Sequence, residues 1–436
     1  MNSSESSSCQ HLGSASALDI RKIAAIKSPF VQSVSVPGSK SYTNRALLLA
    51  SLTRGPVELL HPLYSGDTEA MINCLKVLGI EIEKEPDRIV VHGDLFSIRD
   101  QCYELNVQDS GTSMRFLLAA LCLTKGCKII GGTKRLNERP IQALVDALCK
   151  LGAWIKYLGP LSTAPLQIES KTLICSKEVL LDASISSQFL SALLMIAPFL
   201  NGTEISLQGP LISSAYVDMT MQMMQEWGGE VTRTNGRYVV KSLQCYQMQR
   251  YAIEGDFSSA SYFFAIAALS GSAITVCNLN PKSLQADASF LKILEQMGNQ
   301  VIWGKHEVTV RGRGIQAALL DMEICPDQVQ TMAVLAAFAH GKTVLSGVRS
   351  LRVKETERVI ALKNELAKMG IQTEDTYDTL TIYGGNPCPA TIETYDDHRM
   401  AMAFAVAGTK LEGMRICRPE VVNKTFPTFW DVLERL

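Results

Sequence analysis

Apolar residues recur at the three-and-four spacing of an amphipathic helix in five stretches that each run out at a glycine. They read AMINCLKVLG to Gly79, ALVDALCKLG to Gly152, MTMQMMQEWG to Gly228, SFLKILEQMG to Gly298 and LKNELAKMG to Gly370, so successive glycines stand 73, 76, 70 and 72 residues apart. Glycine suits a helix C-terminus because the left-handed conformation costs it little, and an apolar strand is expected just beyond. A sixth such helix, FPTFWDVLERL, lies last in the sequence.

A second series is interleaved with the first. Small polar residues open almost wholly apolar helices near Ser41, Thr112, Ser187, Ser258, Asp327 and Asp397, at separations of 71, 75, 71, 69 and 70 residues. A helix apolar on every side has to be buried. The repeating unit is therefore about 70 residues: one buried helix, one surface helix and several alternating strands such as RIVVHG and EVTVRG.

Six units account for nearly all of the 436 residues, and a chain this long exceeds a single core, so three units per domain is the expected division. The predicted fold class is α/β. The strand VQSVSV precedes the first repeat and the last helix follows the sixth, so both termini are expected in one discontinuous domain, residues 21–37 plus 255–436. Residues 38–254 form the inserted domain, and two crossings near Gly38 and Glu254 would act as a hinge. Residues 1–20, Ser-rich and without the basic start of a secretory signal, are expected to be a disordered tail.

Composition narrows the function. A net charge of −1 offers no general attraction to nucleic acid or an anionic membrane, so any anion site must be local. The 12 cysteines show no C-x-x-C pair and no zinc-like spacing, which predicts reduced thiols and cytoplasmic residence. The longest apolar stretch, Phe189 to Leu200, is shorter than a membrane helix needs and contains Pro198. No membrane span is expected.

The buried helices supply the local sites. Each helix start has unpaired N–H groups and a partial positive charge, and so favours a phosphate or carboxylate. One Ser, Thr or Asp cluster is an ordinary cap, but here cations keep them company: Lys40 and Arg45 at the first start, Arg115 in the second, His398 and Arg399 in the sixth. Arg139 in RLNERP and Arg352, Lys354 and Arg358 in RVKETER add more near predicted turns. Cations repeated at helix entrances point to a small polyanionic ligand. GSKS lacks the full nucleotide-loop spacing. Lys40, Asp327, Glu355 and His398 are the groups available for acid–base work, and a plain Lys354–Glu355 salt bridge is the competing reading of that pair.

The motifs PGSKSYTNR (Pro37 to Arg45), SGTSMR (Ser110 to Arg115), RLNERP, SSQ (Ser186 to Gln188), RVKETER, DHRMAM (Asp397 to Met402) and KTFP (Lys424 to Pro427) together resemble the 5-enolpyruvylshikimate-3-phosphate synthase family, in family order from about Val34 onward. The resemblance implies two domains, each of three βαβαββ units in an inside-out α/β barrel, closing over phosphoenolpyruvate and shikimate-3-phosphate. By motif position it assigns Lys40, Ser41, Arg45, Ser186, Ser187, Gln188, Ser213, Tyr216, Asp327, Ser350 and Lys354 to shikimate-3-phosphate, with Arg45 on its carboxylate and the serines on its phosphate. It assigns Lys40, Gly111, Arg139, Gln188, Arg358, Arg399 and Lys424 to phosphoenolpyruvate. The implied chemistry is addition of the 5-hydroxyl to C2 with protonation at C3, then loss of phosphate from a tetrahedral intermediate. Asp327 matches the base, while Lys40 and Glu355 match groups that move protons. The implied chemistry needs no metal and no organic cofactor, because phosphate is already a leaving group.

Three positions depart from the family pattern: Asp109 in place of Asn, Ser350 in place of Asn, and Phe116 in place of Pro or Leu. A carboxylate at Asp109 is expected to weaken phosphoenolpyruvate binding or to alter the response to glyphosate, the family's inhibitor, whereas the retained Gly111 predicts sensitivity to it. The rival readings are UDP-N-acetylglucosamine enolpyruvyl transferase, an RNA 3′-phosphate cyclase, and a non-catalytic phosphometabolite-binding protein. A monomer that binds only small molecules is the expected form.

Overall fold

The computed structural model describes residues 19–169, 178–200, 202–241 and 245–436. Each expected buried helix is present: Lys40–Ser51, Gly111–Leu121, Ser187–Ile196, Phe257–Ser270, Val329–Ala337 and His398–Gly408. The fifth begins two residues later than the sequence suggests, because Pro326–Gln328 forms a 3-10 turn ahead of it. The surface helices also fall where the glycine-terminated pattern puts them, and all five terminal glycines, Gly79 to Gly370, carry a positive φ. That backbone would strain any side chain, which is why the residue recurs at this position.

Among the described residues, five four-stranded sheets and one three-stranded sheet form, each built on a parallel pair flanked by an antiparallel strand. Three borrow a strand from far away in sequence. Arg250–Ala252 pairs in parallel with Val57–Leu60, and Val31–Ser35 with Ala273–Cys277. Ile20–Lys22 runs antiparallel to Arg415–Cys417 and completes the last unit. The tail expected over residues 1–20 therefore stops short of Ile20, and Asp19 already accepts a hydrogen bond from the Arg418 N–H at 2.8 Å; residues 1–18 lie outside the described residues.

Two hydrophobic cores result. One spans Tyr42 to Ile253; the other combines Ile23, Val34 and Val36 with Phe257 to Trp430. The chain passes between them twice, side by side. Gly38 and Gly255 form an antiparallel bridge, Ser39 N–H donates to the Glu254 carbonyl at 2.8 Å, and Asp256 N–H donates to the Pro37 carbonyl at 3.0 Å. The approach is so close that a Cβ on Gly38 would lie 2.1 Å from the His61 carbonyl oxygen, which only glycine avoids. No helix among the described residues is long and apolar enough to cross a membrane.

Candidate active site

The buried helices start at the seam between the two halves. Ser110, Ser186, Asp256 and Asp397 cap four of them by accepting a backbone N–H, so the first turns are fixed before any ligand arrives. Gly111, Ser187 and Arg399 follow three of those starts directly or nearly so, Lys40 opens a further buried helix, and the sequence places them at the seam for that reason.

One cavity is lined from the inserted half by Lys40, Ser41, Arg45, Ser186, Ser187, Gln188, Ser213 and Tyr216, and from the other half by Asp327, Ser350 and Lys354. These are the residues that the resemblance groups together. Arg45 is almost fully buried, with its guanidinium donating to Thr220 Oγ1 at 2.8 Å, the Ser41 carbonyl at 3.0 Å and the Tyr216 carbonyl at 3.1 Å. It lies 5.2 Å from the Phe116 ring centroid, so the departure at Phe116 adds a cation–π support beneath this arginine.

Two acidic groups form the centre. Asp327 receives Arg399 at 2.9 Å, Arg358 at 3.3 Å and Lys354 at 3.6 Å. Burial alone would raise its pKa, but Arg399, Lys354, Arg358 and Lys40 outweigh burial and hold the carboxyl well below the usual range. Glu355 receives Arg358 at 2.9 Å, Lys424 at 3.4 Å and Arg139 at 3.7 Å. Its burial is likewise outweighed, by Lys424, Arg358 and Arg139, and it too stays ionised. Lys354 therefore pairs with Asp327 and not with Glu355, which removes the simple neighbour bridge considered from the sequence. His398 is fully buried; burial, then Arg399, Lys40 and Lys424, push its imidazole well below the usual range, so it is neutral.

Arg358 sits behind both carboxylates. Its guanidinium is committed to Asp397 at 2.7 Å, to Glu355 and to Asp327, and its side chain is 1% exposed. Gly111 packs against Arg139 and Arg115: a Cβ there would stand 2.7 Å from Arg139 Nη1. Lys424 reaches across the seam to the Asp109 carbonyl at 3.2 Å. The Asp109 carboxylate accepts the Thr133 hydroxyl, so this departure is tied into its own loop. Arg115 is a buried prop, donating to the Gly111 and Pro140 carbonyls. Arg352 binds Glu357 and Asp375 on the loop exterior and takes no part in the cluster.

Four contributors were given no partner by the sequence reading, although Thr112 and Asp397 stand among its helix starts. Asp67 holds Lys40 at 3.2 Å, Thr112 accepts the Gln188 amide at 3.2 Å, and Asp397 anchors Arg358 as well as capping its helix. Arg135 donates across the seam to the carbonyls of Lys354 at 2.9 Å and Glu355 at 3.1 Å. Thr112, Asp397 and Arg135 lie inside quoted motifs, but nothing in their spacing reveals partners 76, 39 and 219 or 220 positions away.

Two halves of three α/β units each, meeting where lysines and arginines surround a pair of partly buried carboxylates, have the architecture of an enolpyruvyl transferase. The family model described as EPSP synthase (3-phosphoshikimate 1-carboxyvinyltransferase) matches residues 25–433. A relative from Sulfurovum sp. (strain NBC37-1), described as 3-phosphoshikimate 1-carboxyvinyltransferase, is 43% identical over 411 residues, covering 92% of this chain and 96% of its own. One of the same description from Pasteurella multocida (strain Pm70) is 41% identical over 419 residues, covering 92% and 94%. The solved structure of EPSP synthase from Acinetobacter baumannii superposes with a TM-score of 0.79 at 25% identity, over 95% of this chain and 97% of that one. The chain belongs to the EPSP synthase family.

Proposed function

We propose that this chain transfers the enolpyruvyl group of phosphoenolpyruvate to the 5-hydroxyl of shikimate-3-phosphate and releases phosphate, the step that its family supplies to aromatic amino-acid biosynthesis. The observation that carries this reading is the double cluster of cations around Asp327 and Glu355. An acceptor phosphate, an acceptor carboxylate, and the phosphate and carboxylate of the donor all need fixed positive charge. Lys40 and Arg399 line one cavity with Asp327, and Arg139 and Lys424 line another with Glu355; in this reading those four cations serve the donor, and Ser186, Ser187 and Ser213 serve the acceptor.

In this reading the ionised Asp327 carboxylate takes the proton of the 5-hydroxyl as its oxygen attacks C2, while Lys40 delivers a proton to C3. The tetrahedral intermediate then loses a C3 proton to the Glu355 carboxylate as the C–O bond to phosphate breaks, and the surrounding cations take up the charge of the leaving group. Domain closure about the Gly38–Gly255 crossing keeps water from the intermediate. One chain supplies both faces of the site, which supports a monomer as the active unit.

The test is phosphate release from phosphoenolpyruvate with either shikimate-3-phosphate or UDP-N-acetylglucosamine as acceptor. Release with the first alone is expected. Release with the second alone would assign the sugar-nucleotide reaction, and release with neither would leave a binding protein.

A further inference from the structure

Outside the active site, the structure brings two cysteines together on one open sheet face. Cys102 and Cys127 each open a strand, Cys102–Asn106 and Cys127–Gly131, and these strands pair in parallel with Cys102 directly opposite Cys127. Facing residues of neighbouring parallel strands point to the same side of the sheet. Here that side is the outer one: Cys102 is exposed and Cys127 half-exposed, while Tyr103 and Lys128, next along each strand, are buried. Strands lie about 4.7–4.9 Å apart, inside the Cα separation of about 4.4–6.8 Å that a disulfide spans. The Gln167 amide donates to Cys127 Sγ at 3.7 Å from the same face.

The register of this pair is fixed. Gly126, immediately before Cys127, packs so closely on residue 101 that a Cβ would stand 2.3 Å from the Gln101 carbonyl oxygen. Lys128, immediately after, is fully buried and donates to the Thr124 and Gly126 carbonyls. Neither strand start can slide, so the two sulfurs are held as neighbours.

We infer that Cys102 and Cys127 form a dithiol site that reacts as a unit with low-molecular-weight disulfides and closes to a cross-strand disulfide. The exposed Cys102 thiolate attacks one sulfur of the small disulfide, whose S–S bond breaks to release one small thiol. Cys127 then attacks the Cys102 sulfur of the mixed disulfide and expels the second small thiol. Two protein thiols are oxidised and one small disulfide is reduced to two thiols, so atoms and electrons balance. Burial, and the neighbouring Cys102 and Glu169, push the Cys127 thiol up, which suits it to the second, intramolecular step, where proximity compensates for a small thiolate fraction.

The full-length protein, reduced and then incubated with glutathione disulfide, tests this by peptide mapping without reductant. The expected product is a Cys102–Cys127 linked peptide pair, while exposed Cys149, Cys245 and Cys388 carry single glutathione adducts. In Cys127→Ser the adduct should remain on Cys102 and no link should form; enolpyruvyl transfer should match the wild type, since neither residue touches the site. Phenylarsine oxide, which bridges two adjacent thiols, should protect both cysteines from later alkylation in the wild type and should leave Cys102 open to alkylation in Cys127→Ser. Separate stable adducts on Cys102 and Cys127 in the wild type, or a link from either to a third cysteine, would overturn the inference.

Discussion

Gly111 shows how a single hydrogen can define a site. Because a Cβ would stand 2.7 Å from Arg139 Nη1 and 3.1 Å from Arg139 Cζ, Gly111→Ala must displace this guanidinium. A lost charge-assisted bond is worth about 1.5–3 kcal/mol, so the KM for phosphoenolpyruvate should rise about tenfold to a hundredfold, with a smaller change in kcat. Steady-state kinetics against both substrates would show whether the effect is confined to the donor. Asp327→Asn removes the proton acceptor and should lower kcat by about 100-fold or more while the circular dichroism spectrum is unchanged. An unaltered kcat would take Asp327 out of the reaction. The pH response has two separate windows. The His398 imidazole is held below its unfolded value of about 6.5, so the stability tied to its neutral form is fully present above that pH and is lost as pH falls toward the depressed value. The depressed carboxyls of Asp327 and Glu355 contribute above about pH 4 and are lost only below it. The thermal midpoint should therefore fall between about pH 7 and pH 5 in the wild type, and less steeply in His398→Asn, with both proteins losing stability together at lower pH.

At the scale of the element, Asp397 caps the helix His398–Gly408 through the Arg399 N–H at 2.9 Å and also pairs with Arg358 at 2.7 Å. Both side chains are essentially buried. Asp397→Ala leaves the guanidinium without its main partner and the helix without its cap, at a cost of about 3–5 kcal/mol, which urea unfolding can measure. Elements were the most legible part of this protein. Twelve helices follow from two interleaved patterns of apolar and small residues, because each unit must bury one helix wholly and another along one face. Less legible were the contacts between units. The pairing of Lys40 with Asp67 joins two different helices, and the strand Ile20–Lys22 owes its existence to Arg415–Cys417, nearly four hundred residues away. A segment as short and polar as IRK carries no strand signal of its own. Most of the site was legible because helix starts and cations coincide in the motifs; Arg135 and Thr112 were not, since their significance lies wholly in tertiary partners.

Across the whole molecule, the polar contacts between the two halves include Arg135 on the Lys354 and Glu355 carbonyls, Arg139 on Glu355, and Lys424 on the Asp109 carbonyl. Arg135 is exposed, so its bonds add little to folding stability, yet they form only when the seam is shut and they hold the backbone that carries Lys354 and Glu355. Arg135→Gln should enlarge the radius of gyration seen by small-angle scattering and lower kcat about three- to tenfold, with the thermal midpoint unchanged. A drop in the midpoint with no change in dimensions would assign Arg135 to folding instead.

The borrowed strands also set an order of events during synthesis. The core from Tyr42 to Ile253 holds every partner that it needs, including Arg250–Ala252, and can condense while the ribosome is still translating the C-terminal units. Its host cannot. Val31–Ser35 must wait for Ala273–Cys277, and Ile20–Lys22 for Arg415–Cys417; at about 5–20 residues per second that delay is on the order of tens of seconds. Through that interval the nascent chain carries two early strands with unsatisfied edges, which makes them the natural place for a chaperone to hold.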